Sequence, residues 1–478
     1  MSRQPGRPLW ALLLALAGSA WGLDPFNTAA GVPPPPQLGV VMDATGVVEA
    51  PCPPGEPRGT IGLAEAVARA LCFDPRTRQT WAQARALAAQ VGIERAGYLP
   101  EVSADLELSR DRLRIREDGS ESRIASTARS GALELTWMLF DFGQRDAAVR
   151  GARRILLAAT ATHDATMQRV FLDTSNAFFA LLAAQSELAI AREVEQFSEQ
   201  IVREAEEVLE DEDVDVAEKL QARTAVAEAT LERGRAEGAL RIARGQLAIL
   251  LGHGPDIAID ITAEDEPPPD LGFVQLIQEL LQQAQVAHPE IRAARLRLDA
   301  ARTSADAARR AYRPTLGLAY GNRRFTEIPN ARVRENGLSL QLSIPIFDGF
   351  ARNYREREAL AQVDAAESDV SEVEQRVALE VWEAFHTLET ETRVMIDATR
   401  LLELSNELLQ AEQTLFREGE GDMLDLLSAQ SSKAGAALEQ LQSKANLRAA
   451  RLRLAASLGR LGFWTLRRDR AGETPLVR

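Results

Sequence analysis

Residues 338–349 read LSLQLSIPIFDG, and this stretch decides the fold. Its first part alternates, with Leu338, Leu340, Leu342, Ile344 and Ile346 set against Ser339, Gln341 and Ser343. Alternation with a period of two predicts a β-strand with one apolar and one mostly polar face. Residues 102–109, 132–139 and 316–320 alternate in the same way. The chain is therefore expected to contain two β-hairpins, one over 99–140 and one over 313–347.

The unit that holds each hairpin occurs twice. Asp74-Pro75 recurs as His288-Pro289, 214 positions later, and Phe140-Asp141 recurs as Phe347-Asp348, 207 positions later. The offset changes only between these motifs, inside the hairpins. Loop tips absorb changes of length far better than packed elements do. We therefore predict a duplicated helix–hairpin–helix unit whose hairpins have loops of different length.

Long helices flank the hairpins. From about Gly143 to Glu210, and from about Gly349 to Arg417, apolar residues recur at steps of three and four, which is the seam of a coiled coil. At about 1.5 Å per residue, each helix would be roughly 100 Å long. A returning partner follows each one, at Val216 to Leu251 and at Met423 to Leu458. Taken alone, these helices are also typical of a structural rod or an adaptor.

The N-terminus has the pattern of a secretory signal peptide. Arg3 and Arg7 precede an apolar run, residues 9–17, and cleavage is expected after Ala20 or Gly22. The formal net charge of −15 argues against a nucleic-acid partner, which would require a basic surface. We therefore expect an exported protein that does not bind nucleic acid.

Export and the alternating strands together favour a membrane β-barrel. Strands of about ten residues with a polar inner face match the segments of membrane barrels. The alternative is an antiparallel sheet that covers a water-soluble core, which would show the same alternation. Four strands are too few to enclose a lumen, because barrel diameter grows with strand number. A cyclic homo-oligomer that shares one barrel is the simplest solution.

The chain has two cysteines, Cys52 and Cys72. In an oxidising compartment an even pair is more often a disulfide than a reactive site, although two unpaired thiols are the alternative. Closing a loop of about twenty residues would contribute roughly 3 kcal/mol. The bridge would tie a Pro-rich leader, residues 23–60, to the first helix.

No enzymatic centre is predicted. The four histidines lie far apart without the spacing of metal ligands. We find no nucleophile beside a base and no phosphate-binding glycine loop. The sequence therefore predicts no metal site, no cofactor and no catalytic residue.

A set of motifs recurs in the same order in both copies. They are Leu63-x-x-Ala66-Val67-x-x-Ala70-Leu71, Tyr98-Leu99-Pro100, Phe140-Asp141-Phe142-Gly143, Tyr312-x-Pro314, Ile344-Pro345-Ile346-Phe347-Asp348-Gly349 and Gly419-x-x-x-x-Leu424-Asp425-Leu426-Leu427. In this order they resemble the TolC family of outer-membrane factors, the channel-tunnels of efflux pumps and type I secretion systems. The resemblance covers residues 61–463.

The resemblance implies a mainly α fold with a membrane β-barrel portion. Three chains of four strands would complete a twelve-stranded barrel in the outer membrane, in contact with its lipid and standing on a long periplasmic α-helical barrel. The implied partners are a periplasmic adaptor (membrane fusion) protein and an inner-membrane ABC or proton-driven transporter. The implied function is export across the periplasm and outer membrane. A periplasmic coiled-coil adaptor or structural protein is the alternative.

Two strand-to-helix turns are candidate structural sites. Gly143 and Gly349 permit a sharp change of chain direction, since glycine adopts conformations closed to other residues. Asp141 and Asp348 are expected to cap the first turn of the helix that follows.

The resemblance also implies an acidic constriction, or iris, at the periplasmic end. It assigns Asp425 to this ring, and the 207-residue offset places Glu218 opposite it. Asp422 and Asp215 lie in the same turns. The second aspartate of the family pattern is Ser428 here, a departure that weakens the expected binding of cations.

The cargo is predicted from the cysteines. The chain lacks the acylated N-terminal cysteine of many drug-efflux members, and its paired cysteines look similar to those of members that secrete large toxin-like proteins. Protein export is therefore favoured over drug or metal efflux.

The predicted organisation divides the chain into ten segments. They are a signal peptide (1–22), the leader (23–60), a helix (61–98), hairpin 1 (99–140), coiled-coil helices (141–262), a linker (263–272), a helix (273–312), hairpin 2 (313–347), coiled-coil helices (348–463) and a C-terminal tail (464–478).

Overall fold

A computed structural model describes most of the chain. The described residues are 24–33, 38–43, 46–52, 59–117, 120–208, 216–262, 277–327, 331–418 and 420–461. The predicted signal peptide, linker and C-terminal tail lie outside these ranges and stay predictions.

In the described part of the chain, the first copy contains four α-helices. After a short 3-10 helix (Thr28–Gly31), its elements in chain order are β1 (Leu38–Asp43), β2 (Gly46–Pro51), β3 (Thr60–Ile61), α1 (Leu63–Phe73), α2 (Pro75–Ala96), β4 (Glu101–Glu117), β5 (Ser120–Phe140), α3 (Gln144–Val208) and α4 (Val216–Leu250). The second copy follows as β6 (Asp260–Ile261), α5 (Ile277–Ala287), α6 (Pro289–Arg310), β7 (Thr315–Glu327), β8 (Ala331–Ser343), α7 (Ala351–Glu418) and α8 (Met423–Ser457).

The duplication holds at the level of single residues. Helices α5 and α6 begin and end 214 positions after α1 and α2, and α8 begins and ends 207 positions after α4. The mainly helical fold, with a repeated unit and four long strands, is therefore confirmed.

Two sequence predictions need correction. Each single helix expected before a hairpin is in fact two helices, which break at Asp74 before Pro75 and at His288 before Pro289. Proline disfavours the helical conformation of the residue that precedes it, so the break lies where the sequence places proline. Strand β8 also ends at Ser343 rather than continuing to Ile346, because Pro345 has no N–H for a ladder hydrogen bond.

The chain divides into two compact units. The first unit consists of Gln83–Thr160 and Ala293–Val370 with the N-terminal residues up to Pro33. It contains one antiparallel sheet with the strand order β4-β5-β7-β8. Its helical part packs α2 on α3 through small apolar residues, with Ala84 and Ala88 against Leu156.

The second unit consists of Pro34–Ala82, Ala161–Arg292 and Ser371–Arg478, and it holds two equivalent cores. In the first core, Val67 of α1, Phe171 of α3 and Leu247 of α4 pack together. In the second, Leu280 of α5, Val381 of α7 and Leu454 of α8 do the same. The buried positions repeat because the helices repeat, which explains why both copies keep the same apolar periodicity.

The sequence did not predict the small strands of this unit. Strand β3 pairs in parallel with β6, and Ile61 and Ile261 from these strands are buried in the first core. Strands β1 and β2 form an antiparallel hairpin within the segment expected to be an irregular leader. Two-residue strands carry too few residues to show alternation, so no sequence signal marks β3 or β6.

Candidate functional site

The long strands carry one continuous apolar band. Directly opposed residues share a face of the sheet, and the row Val102–Leu135–Tyr320–Leu338 is apolar across all four strands. The neighbouring row, Glu101–Thr136–Ala319–Ser339, belongs to the opposite face and is mostly polar. On β8, Leu338, Leu340 and Leu342 are 71%, 64% and 60% exposed. A sheet with a bare apolar face needs an apolar environment against that face.

The sheet has two free edges within the chain, β4 and β8. Each edge has a row of backbone N–H and C=O groups that none of the described strands pairs along its outer side. Long edge strands with exposed leucines are normally paired or covered, since they are otherwise templates for association. The sheet is therefore incomplete as a single chain.

The first strand-to-helix turn is held by Asp141. Its carboxylate accepts hydrogen bonds from the backbone N–H of Gly143 (3.2 Å) and of Arg145 (2.8 Å). The Arg145 side chain donates back to the same carboxylate at 2.9 Å, donates to the carbonyl of Met138 at 2.7 Å, and lies over the ring of Tyr98. These contacts join the end of β5 to the start of α3.

The second turn is built around the equivalent aspartate, but the phenylalanine and the glycine that follow the aspartate are in the opposite order. Asp348 accepts from the N–H of Arg352 at 2.9 Å. In the first copy Phe142 and Gly143 both have positive φ, at 53° and 84°; in the second copy Gly349 and Phe350 do, at 69° and 68°. Both turns thus need two consecutive left-handed residues, and only one of them is glycine in each copy.

The sequence missed these left-handed phenylalanines. Each ring packs edge-on against the phenylalanine before the aspartate, at 4.6 Å between Phe140 and Phe142 and 5.4 Å between Phe347 and Phe350. Such pairs contribute about 0.5–1.5 kcal/mol. Their attraction offsets the cost of about 1–3 kcal/mol for a non-glycine residue in this conformation. The sequence does carry a signal for this conformation. When the two copies are aligned, Phe142-Gly143 stands against Gly349-Phe350, so each of the two positions holds glycine in one copy.

The acidic residues of the second periplasmic turn have separate positions. Asp422 is the N-cap of α8, and its carboxylate accepts from the N–H of Leu424 at 2.8 Å. Asp425 lies in the first turn of the helix and is exposed. Gly421 packs so closely on the end of α7 that a Cβ there would lie 2.7 Å from the backbone nitrogen of Phe416. The chain is therefore tightly packed at Gly421.

The corresponding turn of the first copy is only partly described. Glu218 lies in the first turn of α4, and Asp215 lies outside the described residues. The helices beside both turns meet in one apolar cluster, where Ile201 of α3 and Ala222 of α4 contact Leu426 of α8. The structure thus brings α4 and α8 together at this end, while the spacing between Glu218 and Asp425 stays a prediction.

A groove of ≈ 730 Å³ lies beside this cluster, between α3, α4 and α8. Its walls include Ile190, Val194, Leu220 and Leu424. Gln430 also lines it, is 3% exposed, and has an Oε1 with no hydrogen-bond partner among the described residues. A buried amide oxygen without a partner costs about 1–3 kcal/mol. The groove therefore combines apolar walls with one unmet acceptor.

An ion-pair network that the sequence analysis overlooked joins the two copies. Glu290 of α6 accepts from Arg169 of α3 at 2.8 Å and from Arg376 of α7 at 2.6 Å. Burial acts to raise the pKa of Glu290, but the hydrogen bond and charge of Arg376, with the charge of Arg169, outweigh it and hold the pKa below its ordinary value. The adjacent His288 is buried, and desolvation lowers its pKa. In the first copy the position of Glu290 is occupied by Arg76, which binds Asp74 and Asp173.

Cys52 and Cys72 form a disulfide in the structure. The bond joins the residue after β2 to α1, where Cys72 is 2% exposed. The corresponding residue of the second copy, Val286, is 84% exposed. The disulfide therefore fastens the N-terminal hairpin to the first copy alone.

Among the described residues, no helix combines the length and the apolarity needed to cross a membrane. In the same part of the chain, no group of three or more metal-ligating side chains is close enough together to hold an ion.

Comparison with known proteins agrees with this architecture. The profile of the family "Outer membrane efflux protein" matches residues 66–253 and 280–460. Protein CyaE of Bordetella pertussis (strain Tohama I) is 32% identical over 473 residues, covering 96% of each chain. The CmeC outer membrane channel of Campylobacter jejuni shares the fold with a TM-score of 0.74 and 17% identity, over 83% of this chain and 85% of that one.

The open state of the MtrE outer membrane channel of Neisseria gonorrhoeae has the same fold, with a TM-score of 0.70 and 21% identity over 83% of this chain and 88% of that one. The family profile spans the helices and hairpins of both copies. The alternative of a periplasmic adaptor or rod receives no support from it. The chain belongs to the outer membrane efflux protein family, and it is an outer-membrane transport channel rather than an enzyme.

Proposed function

We propose that three copies of this chain form one channel, with a twelve-stranded β-barrel in the outer membrane and a helical barrel in the periplasm. The observation that carries this proposal is the pair of free edges on a four-stranded sheet. Pairing β8 of one copy with β4 of the next removes every edge when the ring closes. Four strands alone would be too few to surround a lumen.

The duplication independently supports association between copies of the chain. Within the chain, the face of α3 that carries Leu172 and Ser175 is covered by the second copy: Gln168 donates to the carbonyl of Gly459 at 3.0 Å, and Ser175 is fully buried. The equivalent residues of α7, Leu379 and Trp382, are 56% and 50% exposed. Another copy of the chain would cover them as the first copy is covered here.

Assembly is tested on the full-length protein. Gel electrophoresis of outer-membrane fractions in detergent, without heating, should show a species of three times the chain mass. A monomer, or recovery in the periplasmic fraction, would contradict the proposal. Planar bilayers that contain the purified trimer should show discrete conductance steps.

We further propose that the trimer serves a tripartite system with a periplasmic adaptor (membrane fusion) protein and an inner-membrane ABC or proton-driven transporter. The groove beside the periplasmic turn supports an adaptor contact at this end. Its apolar walls and the unpaired Oε1 of Gln430 suit an amphipathic helix that carries a hydrogen-bond donor.

Asp425, Glu218, Asp422 and Asp215 are proposed as the acidic constriction. Like charges around a narrow axis attract cations, and three-fold repetition multiplies the effect. Asp425 is the strongest candidate because it is exposed at the turn, whereas the carboxylate of Asp422 is engaged as a helix cap.

Asp425→Ala tests the constriction. The variant should assemble normally and show weaker block by divalent cations in planar-bilayer conductance. Asp422→Ser is the comparison variant: serine keeps the N-cap while removing a charge that is engaged at the helix end, so it should weaken the block less than Asp425→Ala does. Unchanged block in Asp425→Ala would count against Asp425 as a ring residue.

The proposed cargo is a secreted protein. Support comes from the disulfide between Cys52 and Cys72, the second of which lies just before Asp74-Pro75. Deleting the gene should remove one or more proteins from the culture medium without changing sensitivity to drugs. A gain of drug sensitivity with an unchanged set of secreted proteins would favour efflux.

A further inference from the structure

The apolar face of the sheet becomes basic toward the hairpin tips. On β4 the residues of one face are Val102, Ala104, Leu106 and Leu108, and the same alternation then continues with Arg110, Arg112 and Arg114. All three arginines are exposed. Successive members of this face are about 6.8 Å apart, because a strand rises about 3.4 Å per residue. The change from leucine to arginine therefore takes place within one step.

The neighbouring strands make the same change, one or two steps nearer the helical end of the sheet. The row that contains Leu106 runs through Gly131 to Arg324 on β7 and Arg334 on β8. Leu108 lies opposite Arg129 of β5. The six arginines, Arg110, Arg112, Arg114, Arg129, Arg324 and Arg334, are thus on the face that carries the apolar band, just beyond its edge.

The opposite face at this level is acidic or neutralised. Asp105 and Glu107 of β4 lie on it, and Ser130 donates to Glu107 at 3.3 Å. Arg323, next to Arg324 but on this other face, lies directly opposite Glu335. Charge is therefore sorted by face, in a chain whose net charge is −15.

The arginine face lacks internal compensation. Within the described part of the chain, none of the six arginines forms an ion pair. Arg324 lies directly opposite Arg334. Like charges directly opposite each other destabilise a sheet. Such pairs become favourable when an anion lies between them.

Topology decides which side of the membrane these arginines face. The helices that adjoin the long strands, α2, α3, α6 and α7, all do so at the end away from the hairpin tips, and in this family the helices are periplasmic. The arginines lie on the tip side of the apolar band. If the band is in contact with lipid, as the proposed barrel requires, they lie at the level of the outer-leaflet head groups.

We propose that this face is a binding site for the phosphate groups of the glycolipid that forms the outer leaflet, lipopolysaccharide. Guanidinium groups bind phosphate oxygens through paired, charge-assisted hydrogen bonds. Rows of arginine on several strands match an array of phosphates held at one depth. The acyl chains of the same lipid would lie along the leucines below, so that one molecule meets both parts of the face.

The test uses the purified full-length trimer in detergent and fluorescently labelled lipopolysaccharide. The triple variant Arg110→Gln, Arg112→Gln and Arg114→Gln should bind about tenfold more weakly or worse, since one lost charge-assisted contact is worth about that factor. The double variant Arg324→Gln and Arg334→Gln, which removes the opposed pair, should behave likewise. Arg323→Gln is the matched control and should bind within about twofold of the unmodified protein.

Two further arms identify the ligand. Lipopolysaccharide stripped of its phosphates should bind the unmodified protein about as weakly as the variants bind the intact lipid. Inorganic phosphate should not displace the labelled lipid at matched concentrations of phosphate groups. The proposal would be overturned if the triple and double variants bound the lipid as tightly as the unmodified protein, if the dephosphorylated lipid bound as tightly as the intact lipid, or if inorganic phosphate readily displaced the labelled lipid.

This inference rests on the proposed barrel, and the two fail separately. A protein that neither forms trimers nor conducts would refute the barrel. A trimer that conducts but binds the lipid equally well with and without its phosphates would refute only the arginine site.

Discussion

Replacing Gly459 with alanine separates two reasons why a helix end needs glycine. Gly459 follows α8 and has a φ of +69°. A Cβ at this position would lie 2.8 Å from the Cα of His288 and 3.0 Å from the carbonyl oxygen of Ala287. Both atoms are backbone and cannot rotate away. Gly349 has the same φ of +69°, but a Cβ there would have no described atom within 4 Å.

The magnitudes follow from this difference. Both substitutions force an L-residue into the left-handed region, which costs about 1–2 kcal/mol. Gly459→Ala also forces the α5–α6 junction away from α8, and overpacking of this kind costs about 1–3 kcal/mol more. We expect Gly459→Ala to lose about 2–5 kcal/mol and Gly349→Ala about 1–2 kcal/mol.

Unfolding of the detergent-solubilised protein, followed by helical circular dichroism against denaturant, measures the two effects. The unfolding midpoint should fall for both variants and by clearly more for Gly459→Ala. Equal shifts of the unfolding midpoint would refute this reasoning, because the close approach of the α5–α6 junction would then have no effect on stability. A larger shift for Gly349→Ala would refute it as well.

Two further outcomes are expected. Glu290→Gln should destabilise the protein by about 1–3 kcal/mol at pH 7, because Arg169 and Arg376 lose a charged acceptor. Because the pKa of Glu290 is lowered in the folded state, its stabilisation is present above the ordinary pKa of 4.5 and is lost as the pH falls through the folded-state pKa. The denaturation curves of the two proteins should therefore converge in acid. A difference in stability that stays constant with pH would contradict the role of the Glu290 charge. Cys52→Ser should cost about 3 kcal/mol by opening a 20-residue loop, and a reductant should abolish the difference from the unmodified protein; equal midpoints without reductant would show that the disulfide adds nothing.

Much of the fold could be predicted because its signals are local and occur twice. The long helices begin and end within a few residues of their predicted bounds, since α3 and α7 carry an apolar seam over more than sixty residues. Proline at positions 75 and 289 marked helix breaks that the prediction of one continuous helix ignored. Short elements such as β3 and β6 carry no such repetition, and only their pairing defines them.

The candidate site was less predictable, because it depends on neighbours distant in sequence. Asp141 and Asp348 could be read as caps from the glycine and helix that follow them. The role of Glu290 could not, since Arg169 and Arg376 come from two other helices. Aspartates 422 and 425 look alike in sequence, and only the hydrogen bond to Leu424 separates the cap from the exposed carboxylate.

The sequence by itself determined the repeated unit, the helical periodicity and the alternation of the strands, because each depends on residues close together in the chain. Only the tertiary structure decided the strand order and register, and with them which residues share a face. Register is a relation between segments up to two hundred residues apart, which no local pattern encodes. It alone separates Arg324, in the row that ends in Arg334, from Arg323, which lies opposite Glu335 on the other face.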